Sequence, residues 1–409
     1  MRYTPINLRV RASVVALVLV AVLTPAIADV DDVPHVHNPA TPPQGIEKIE
    51  LRELWRAGGE DDEVFFGSIG NVLMGPDENI YIQDEQLVQI FVYSRDGEFL
   101  RTLGRAGEGP GEVRSLNAIV FLPDGTLGLG QAFPGRLVKI GLDGIPGSSF
   151  MLGSTDEPPC VLVEGQSRGN TLLLAGMRME FLDQGNVQQH LFLTRYSPAG
   201  EAEHVYTAKQ YPVNFAEFRL DEGGISFVWA CFDVDEAGYV YFAPHRDAYE
   251  IHVCDLQGKL ARVITRDYES LKRDDAMIEE ARLTYEAVAR SYNVPVQGVT
   301  VEETEQDIES LHVSPEGTLW VRTSRADRRS PKGVLTTYDQ FDSAGHLQKQ
   351  VQLLAPGNAA KDAIFMLNEN LVVVVVGAVD AYRTEHGVSS EGASTEEEIS
   401  PLEVIVYSM

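Results

Sequence analysis

The chain has 409 residues, 44% of them hydrophobic, and its 61 acidic against 33 basic side chains give a formal charge of −28. A surface this acidic repels phosphate backbones and anionic lipid, which argues against general nucleic-acid or membrane-surface binding. Three cysteines, Cys160, Cys231 and Cys254, are too few for a disulfide framework.

Arg2, Arg9 and Arg11, the apolar stretch Ala12 to Leu23 and the small residues Ala26-Ile27-Ala28 before Asp29 form a secretory signal peptide over residues 1–28. Its apolar core is shorter than the ~20 residues of a membrane span. The sequence therefore predicts an exported chain, periplasmic or extracellular, with no membrane span after cleavage and a formal charge of −31. Residues 29–45 hold four prolines and little that is apolar, and read as a disordered leader. Ile46 to Trp55 then alternates in the manner of one β-strand.

From residue 68 onward, sets of short apolar-alternating runs recur in tandem. First turns fall at Pro76-Asp77-Glu78-Asn79, Pro123-Asp124-Gly125, Ser167-Arg168-Gly169-Asn170, Asp235-Glu236-Ala237-Gly238, Pro315-Glu316-Gly317 and Asn368-Glu369-Asn370. Second turns follow at Arg95-Asp96-Gly97, Leu142-Asp143-Gly144, Pro198-Ala199-Gly200, Leu256-Gln257-Gly258 and Ser343-Ala344-Gly345. These dipeptides reverse a strand at low cost. One small sheet cannot bury both its faces, so the units must stack on one another. The sixth unit lacks a fourth strand, and Ile46–Trp55 is placed to supply it. The expected fold is an all-β, monomeric, six-bladed β-propeller over residues 46–409, closed by that N-terminal strand.

Two insertions interrupt the rhythm. Ile278, Ala281, Tyr285, Val288 and Tyr292 follow a three-four spacing, which predicts an amphipathic helix within about 269–294, between units four and five, capped by Ser270 or Asp274. Residues of about 384–401, with Glu396-Glu397-Glu398, read as a flexible acidic loop. Cys231 and Cys254 fall on the first and third strands of one sheet, about 9.5 Å apart and beyond disulfide reach. A Cys160–Cys231 bridge and three buried thiols both stay open.

The runs Ile80-Tyr81-Ile82-Gln83-Asp84, Val88-Gln89-Ile90-Phe91, Asp96-Gly97-Glu98-Phe99 and Gly107-Glu108-Gly109-Pro110-Gly111-Glu112 resemble the NHL repeat and the exported bacterial six-bladed propellers that carry it. The likeness is good in units one and two, fair in units four and five and weak elsewhere; in unit two Gly130-Gln131 stands where Asp84 has its counterpart. What it implies is architecture, because the motif residues serve turns and packing. Asp84, at a strand end, is expected to bind the backbone of the adjoining loop.

In such a ring the long, varied connections share one face, where a site is expected. Arg105, Arg136, Arg178, His245, Arg246 and Arg325 are the candidate ligand-binding residues there. Guanidinium forks suit a small anionic or carbohydrate-acid ligand; the same arginines also have Glu108, Glu112, Asp183, Asp247 and Asp327 nearby in sequence for ion pairs. Phe133, Phe181, Tyr211, Phe215, Phe218, Tyr249 and Tyr382 share the face, for stacking or for packing. The nine histidines have no zinc-ligand spacing, and Gly-x-Ser-x-Gly, HExxH, P-loop and CxxC motifs are absent. No catalytic or metal-ligating residue is therefore assigned, and no cofactor is expected. The reading is a non-catalytic exported module for a small-molecule or protein ligand. Its alternative is a metal-dependent propeller hydrolase or lyase, lactonase-like or amidoglycolate-lyase-like, with calcium or zinc in the central channel; that rests on fold likeness alone.

Overall fold

The computed structural model describes residues 33–60, 64–152, 158–388 and 401–409, so the signal peptide and most of the acidic loop lie outside the described residues. Six antiparallel sheets follow one another along the chain. Blade I is Ile69–Met74, Ile80–Asp84, Gln89–Tyr93 and Phe99–Leu103, and blade II is Ala118–Phe121, Leu127–Gln131, Arg136–Ile140 and Pro146–Met151. Blade III is Cys160–Arg168, Thr171–Phe181, Asn186–Tyr196 and Ala202–Asn214, and blade IV is Phe232–Val234, Val240–Phe242, Glu250–Cys254 and Leu260–Arg266. Blade V is Ile308–Val313, Leu319–Thr323, Val334–Phe341 and Leu347–Leu354. Blade VI takes Ala363–Asn368, Leu371–Val376 and Glu403–Ser408 from the C-terminal end and Arg52–Gly58 from the N-terminal end. The protein is a six-bladed β-propeller.

First strands of neighbouring blades touch, as in III and IV or VI and I, and so surround the axis. Between each pair of blades lies a separate apolar cluster, from Tyr81, Leu103 and Leu129 between I and II to Val373, Val404 and Ile82 between VI and I. Each buried side chain there contributes about 1.5–3 kcal/mol by leaving water. The turns behave as their sequences require: Gly97 has φ +90°, and a Cβ on it would meet Trp55 Cγ at 2.5 Å, so only glycine fits.

The N-terminal segment differs from expectation. His35–Asn38 is not disordered; it pairs in parallel with Leu260–Arg266 as a fifth, outer strand of blade IV. Ile46–Glu50 does the same on blade V, against Leu347–Leu354, and ring closure falls to Arg52–Gly58 alone, against Glu403–Ser408. Outer strands carry solvent on one edge, so they need no apolar alternation, and prolines between them hide them further.

Blade III also departs from its repeat. Its hairpin strands run to 11 and 13 residues, so Gly176–Phe181, Asn186–His190 and Gln210–Asn214 are strand rather than connection. This tall hairpin carries a small second layer. Phe218–Asp221 pairs in parallel with Val296–Thr300, and the Asp275–Ser291 helix, capped by Asp274 accepting from Met277 N, packs on both through Phe218, Leu220 and Ala289. A second helix, Ala378–Glu385, leads into the acidic loop and takes in its first two residues. All three cysteines are buried, and the Cys231 thiol donates to Ile308 O at 3.2 Å.

Candidate functional site

The long connections meet over the axis, and beneath them lies a cavity of about 1020 Å³. Its floor comes from first and second strands: Asn117 before blade II, Val161, Val163, Met177 and Met179 in blade III, Gln306 and Glu309 at blade V. Its roof is the Asp275–Ser291 helix, which presents Ala281, Thr284, Tyr285, Val288 and Ser291, with Tyr292 at its end. Phe215, Phe227 and Trp229, from the connection between blades III and IV, form one wall, with Phe133 and Phe181 at the rim.

Charge at this site is largely consumed by the roof's own attachment. Glu222 is buried and accepts from Arg246 Nη2 (2.7 Å), Arg273 Nη1 (2.7 Å) and Glu302 N (2.9 Å). Burial alone would raise its carboxyl, but Arg273 and Arg246 hold it below the usual range. Arg273 also reaches Glu305 (2.8 Å), and Arg328 bridges Glu305 (3.2 Å) and Glu280 (2.8 Å). Arg383, on the Ala378–Glu385 helix, donates to Thr284 Oγ1 and Glu280 O, both at 2.7 Å, which couples the two helices.

Glu309 stands apart from that network. Its carboxylate accepts from Gln306 Nε2 (3.1 Å), and no cation lies within ion-pair distance of it among the described residues. Burial, with Asp327 adding repulsion and Arg322 opposing, pushes its carboxyl up to about 7. Asn117 Oδ1 and Gln189 Oε1 are buried and without a hydrogen-bond partner among the described residues. Deeper along the axis Asn71 Nδ2 of blade I donates to Glu164 Oε1 of blade III at 3.3 Å, and burial raises Glu164 to about 7. Glu85 rises to about 8, through burial first and then through Glu385, Glu164 and Asp84.

None of the six residues singled out from sequence lines the cavity. Arg105 pairs with Glu112, and Arg136 donates to Glu112 O (3.0 Å) and Gln131 Oε1 (3.2 Å). Arg178 lies over the Phe192 ring and donates to Leu152 O (3.3 Å). Arg246 belongs to the buried Glu222 network, and Arg325 binds Glu269 and covers Tyr268. His245 stands at the margin of blade IV beside Glu250 and His252. Phe133, Phe181 and Phe215 do line the site, whereas Tyr211 and Phe218 pack the second layer and Tyr249 donates to Asp339 Oδ2 (2.8 Å). Asn117, Gln189 and Glu309 were not picked out: each is a lone polar residue in a different blade, with no spacing that betrays a shared site.

Residues 60–122 match the DUF5128 family model, described as a 6-bladed beta-propeller. No curated protein matches the chain. Among solved structures it is similar to a member of the DUF4221 family from Bacteroides vulgatus, at 9% identity and TM-score 0.50 over 87% of this chain and 97% of that one. Regucalcin, a calcium-binding protein from Agrobacterium tumefaciens, overlaps at 9% identity and TM-score 0.43, over 89% of this chain and 96% of that one. Virginiamycin B lyase from Staphylococcus aureus overlaps at 8% identity and TM-score 0.42, over 88% and 100%. What these likenesses support is the architecture: six blades, in a fold that other proteins put to several uses.

Proposed function

We propose that this protein is an exported binding module that holds a small, largely apolar ligand carrying a protonated amine or N–H donors in the roofed axial cavity. Glu309 carries the reading: it is a half-buried carboxylate with no ion-pair partner among the described residues, Arg322 acting on it only from beyond that distance, and it shares the lining with aromatic, methionine and aliphatic side chains as well as with the paired Glu222, Arg273, Glu305 and Arg328. Asn117 Oδ1 and the side-chain amide of Gln189 add polar atoms without a hydrogen-bond partner among the described residues. A cavity of this size suits a drug-sized molecule. The arginine-based preference for an anionic ligand loses support, since the guanidiniums of the face are spent on carboxylates and carbonyls. Binding is the reading that the lining supports: no His, Cys or Lys lines the cavity among the described residues. The likeness of residues 80–112 to NHL repeats and the signal peptide belong to the same reading, a module working outside the cytoplasm.

The test is a screen of arylalkylamines, which stay protonated across the range used, by the fluorescence of Trp229, which lines the cavity, repeated across pH. A cation binds the ionised form of Glu309, so affinity should rise as pH climbs through about 7 and fall by up to ~10-fold per unit below it. Glu309→Gln should flatten that profile and cost about 10-fold or more at about pH 8. Tighter binding of carboxylates than of amines, or a pH profile unchanged in the variant, would overturn the assignment.

A further inference from the structure

Away from the cavity, on the side of blade IV that faces blade III, three metal-binding side chains converge. Glu250 and His252 are two apart on one strand, so they project to the same face. The loop after Val240–Phe242 brings His245 back over them. His252 Nε2 lies 2.8 Å and His245 Nε2 3.5 Å from the same Glu250 oxygen, and all three ligand atoms fall within 4.8 Å of one another. Donor atoms around a tetrahedral zinc, at bonds of ~2.0–2.1 Å, sit about 3.3 Å apart, so small side-chain rotations complete the geometry. Two imidazoles and one carboxylate are also the donor set of zinc sites that keep a position open.

The N-terminal strand brings another histidine to the same face, two strands away from His252. His35 is opposite Val263, and Val263 is opposite His252, so the two histidines stand in one row on one face of the sheet. His37 occupies the next row with Thr265 and Glu250 and lies 3.2 Å from both Thr265 Oγ1 and Asp267 Oδ1.

We propose that His245, Glu250 and His252 bind a zinc-class divalent cation, with His35 as fourth ligand, and that the ion fastens the N-terminal strand to blade IV. This site is distinct from the axial cavity and does not depend on what that cavity holds. Its chemistry selects late first-row ions over calcium, which prefers six or more oxygens.

Tag-free protein beginning at residue 29 would be titrated with zinc chloride by calorimetry. We expect one ion per chain, a rise in melting temperature reversed by EDTA, and no response to calcium chloride. His245→Ala, in an exposed loop where folding is not at stake, should weaken binding about 100-fold, as should His252→Ala; circular dichroism checks the fold of both. His35→Ala should weaken binding about 10-fold and accelerate hydrogen exchange in residues 35–38 of the zinc-loaded protein. Millimolar-only binding, or full affinity in His245→Ala, overturns the site; unchanged affinity in His35→Ala overturns the fastening.

Discussion

Glu164 stands on the innermost strand of blade III, and its partner Asn71 is on the far side of the axis, so a carboxyl is held where water is scarce. Burial raises it to about 7, and Glu85 nearby to about 8. A carboxyl raised in the folded state favours folding fully below its unfolded value near 4.5, and that contribution disappears as pH climbs through about 7. Glu164→Gln keeps an acceptor for Asn71 and removes the titration. The variant should match the parent in thermal melts near pH 4.5 and exceed it by up to about 3 kcal/mol near pH 8.5. A variant less stable than the parent at both pH values would show that the carboxylate is satisfied as an ion. At this scale the sequence is legible where a residue serves its own turn: Asp84 accepts from Gly67 N (2.7 Å) and Leu87 N (2.8 Å), and in blade II Gln131 takes the place, accepting from Arg114 N at 2.9 Å. It is illegible where a residue serves the axis, because Glu164, Asn71 and Glu309 acquire meaning only when separate blades converge.

The roof over the cavity is an element with two attachments, one ionic and one apolar. Tyr285, Val288, Tyr292 and Ala289 of the helical segment pack against Phe215, Phe218 and Val296, while Glu222 anchors Arg246 and Arg273. Removing one member of a buried ion network leaves its partners charged and uncompensated, typically at about 3–5 kcal/mol. Glu222→Gln should therefore lower stability in urea by about 3 kcal/mol and raise hydrogen exchange across 275–291 more than across blade I. Uniform protection in the variant would mean that the apolar layer holds the roof without the ions. The three-four spacing of the helix made it readable, whereas the parallel pairing of Phe218–Asp221 with Val296–Thr300 was not: strands of 4 and 5 residues far apart in sequence carry no periodicity long enough to detect. The elongated blade III hairpin escaped for the opposite reason, since its repeat continues past the length its neighbours teach one to expect.

At the scale of the whole molecule, the chain's first described residues wrap the outside of blades IV and V before entering blade VI, so three sheets depend on one N-terminal segment. Asn38 alone bonds Thr265 O and Gly345 O at 3.0 Å and accepts from Leu347 N at 2.7 Å, which ties blade IV to blade V. The closing strand does more: Ala57 joins the VI–I cluster, Trp55 stacks on Tyr93 at 5.2 Å and donates to Arg95 O, and Arg56 pairs with Glu403 at 2.8 Å. Tandem repetition made the ring and the missing fourth strand of the sixth blade visible, but the division of labour between outer and closing strands rests on register, which sequence does not state. Two truncations separate those roles. A chain starting at Ile46 loses the blade IV strand and the Asn38 bonds, and should melt a few degrees lower, about 1–3 kcal/mol, while eluting in the same oligomeric state as the parent. A chain starting at Phe65 loses the closing strand as well and bares the edge of Glu403–Ser408, whose Val404, Ile405 and Val406 are buried in the intact ring. An open, apolar edge pairs with other chains, so this form should aggregate or elute as multimers in size-exclusion chromatography. If it kept the oligomeric state and the melting temperature of the Ile46 form, closure by Arg52–Gly58 would contribute nothing to the ring, and the six interblade clusters alone would hold it.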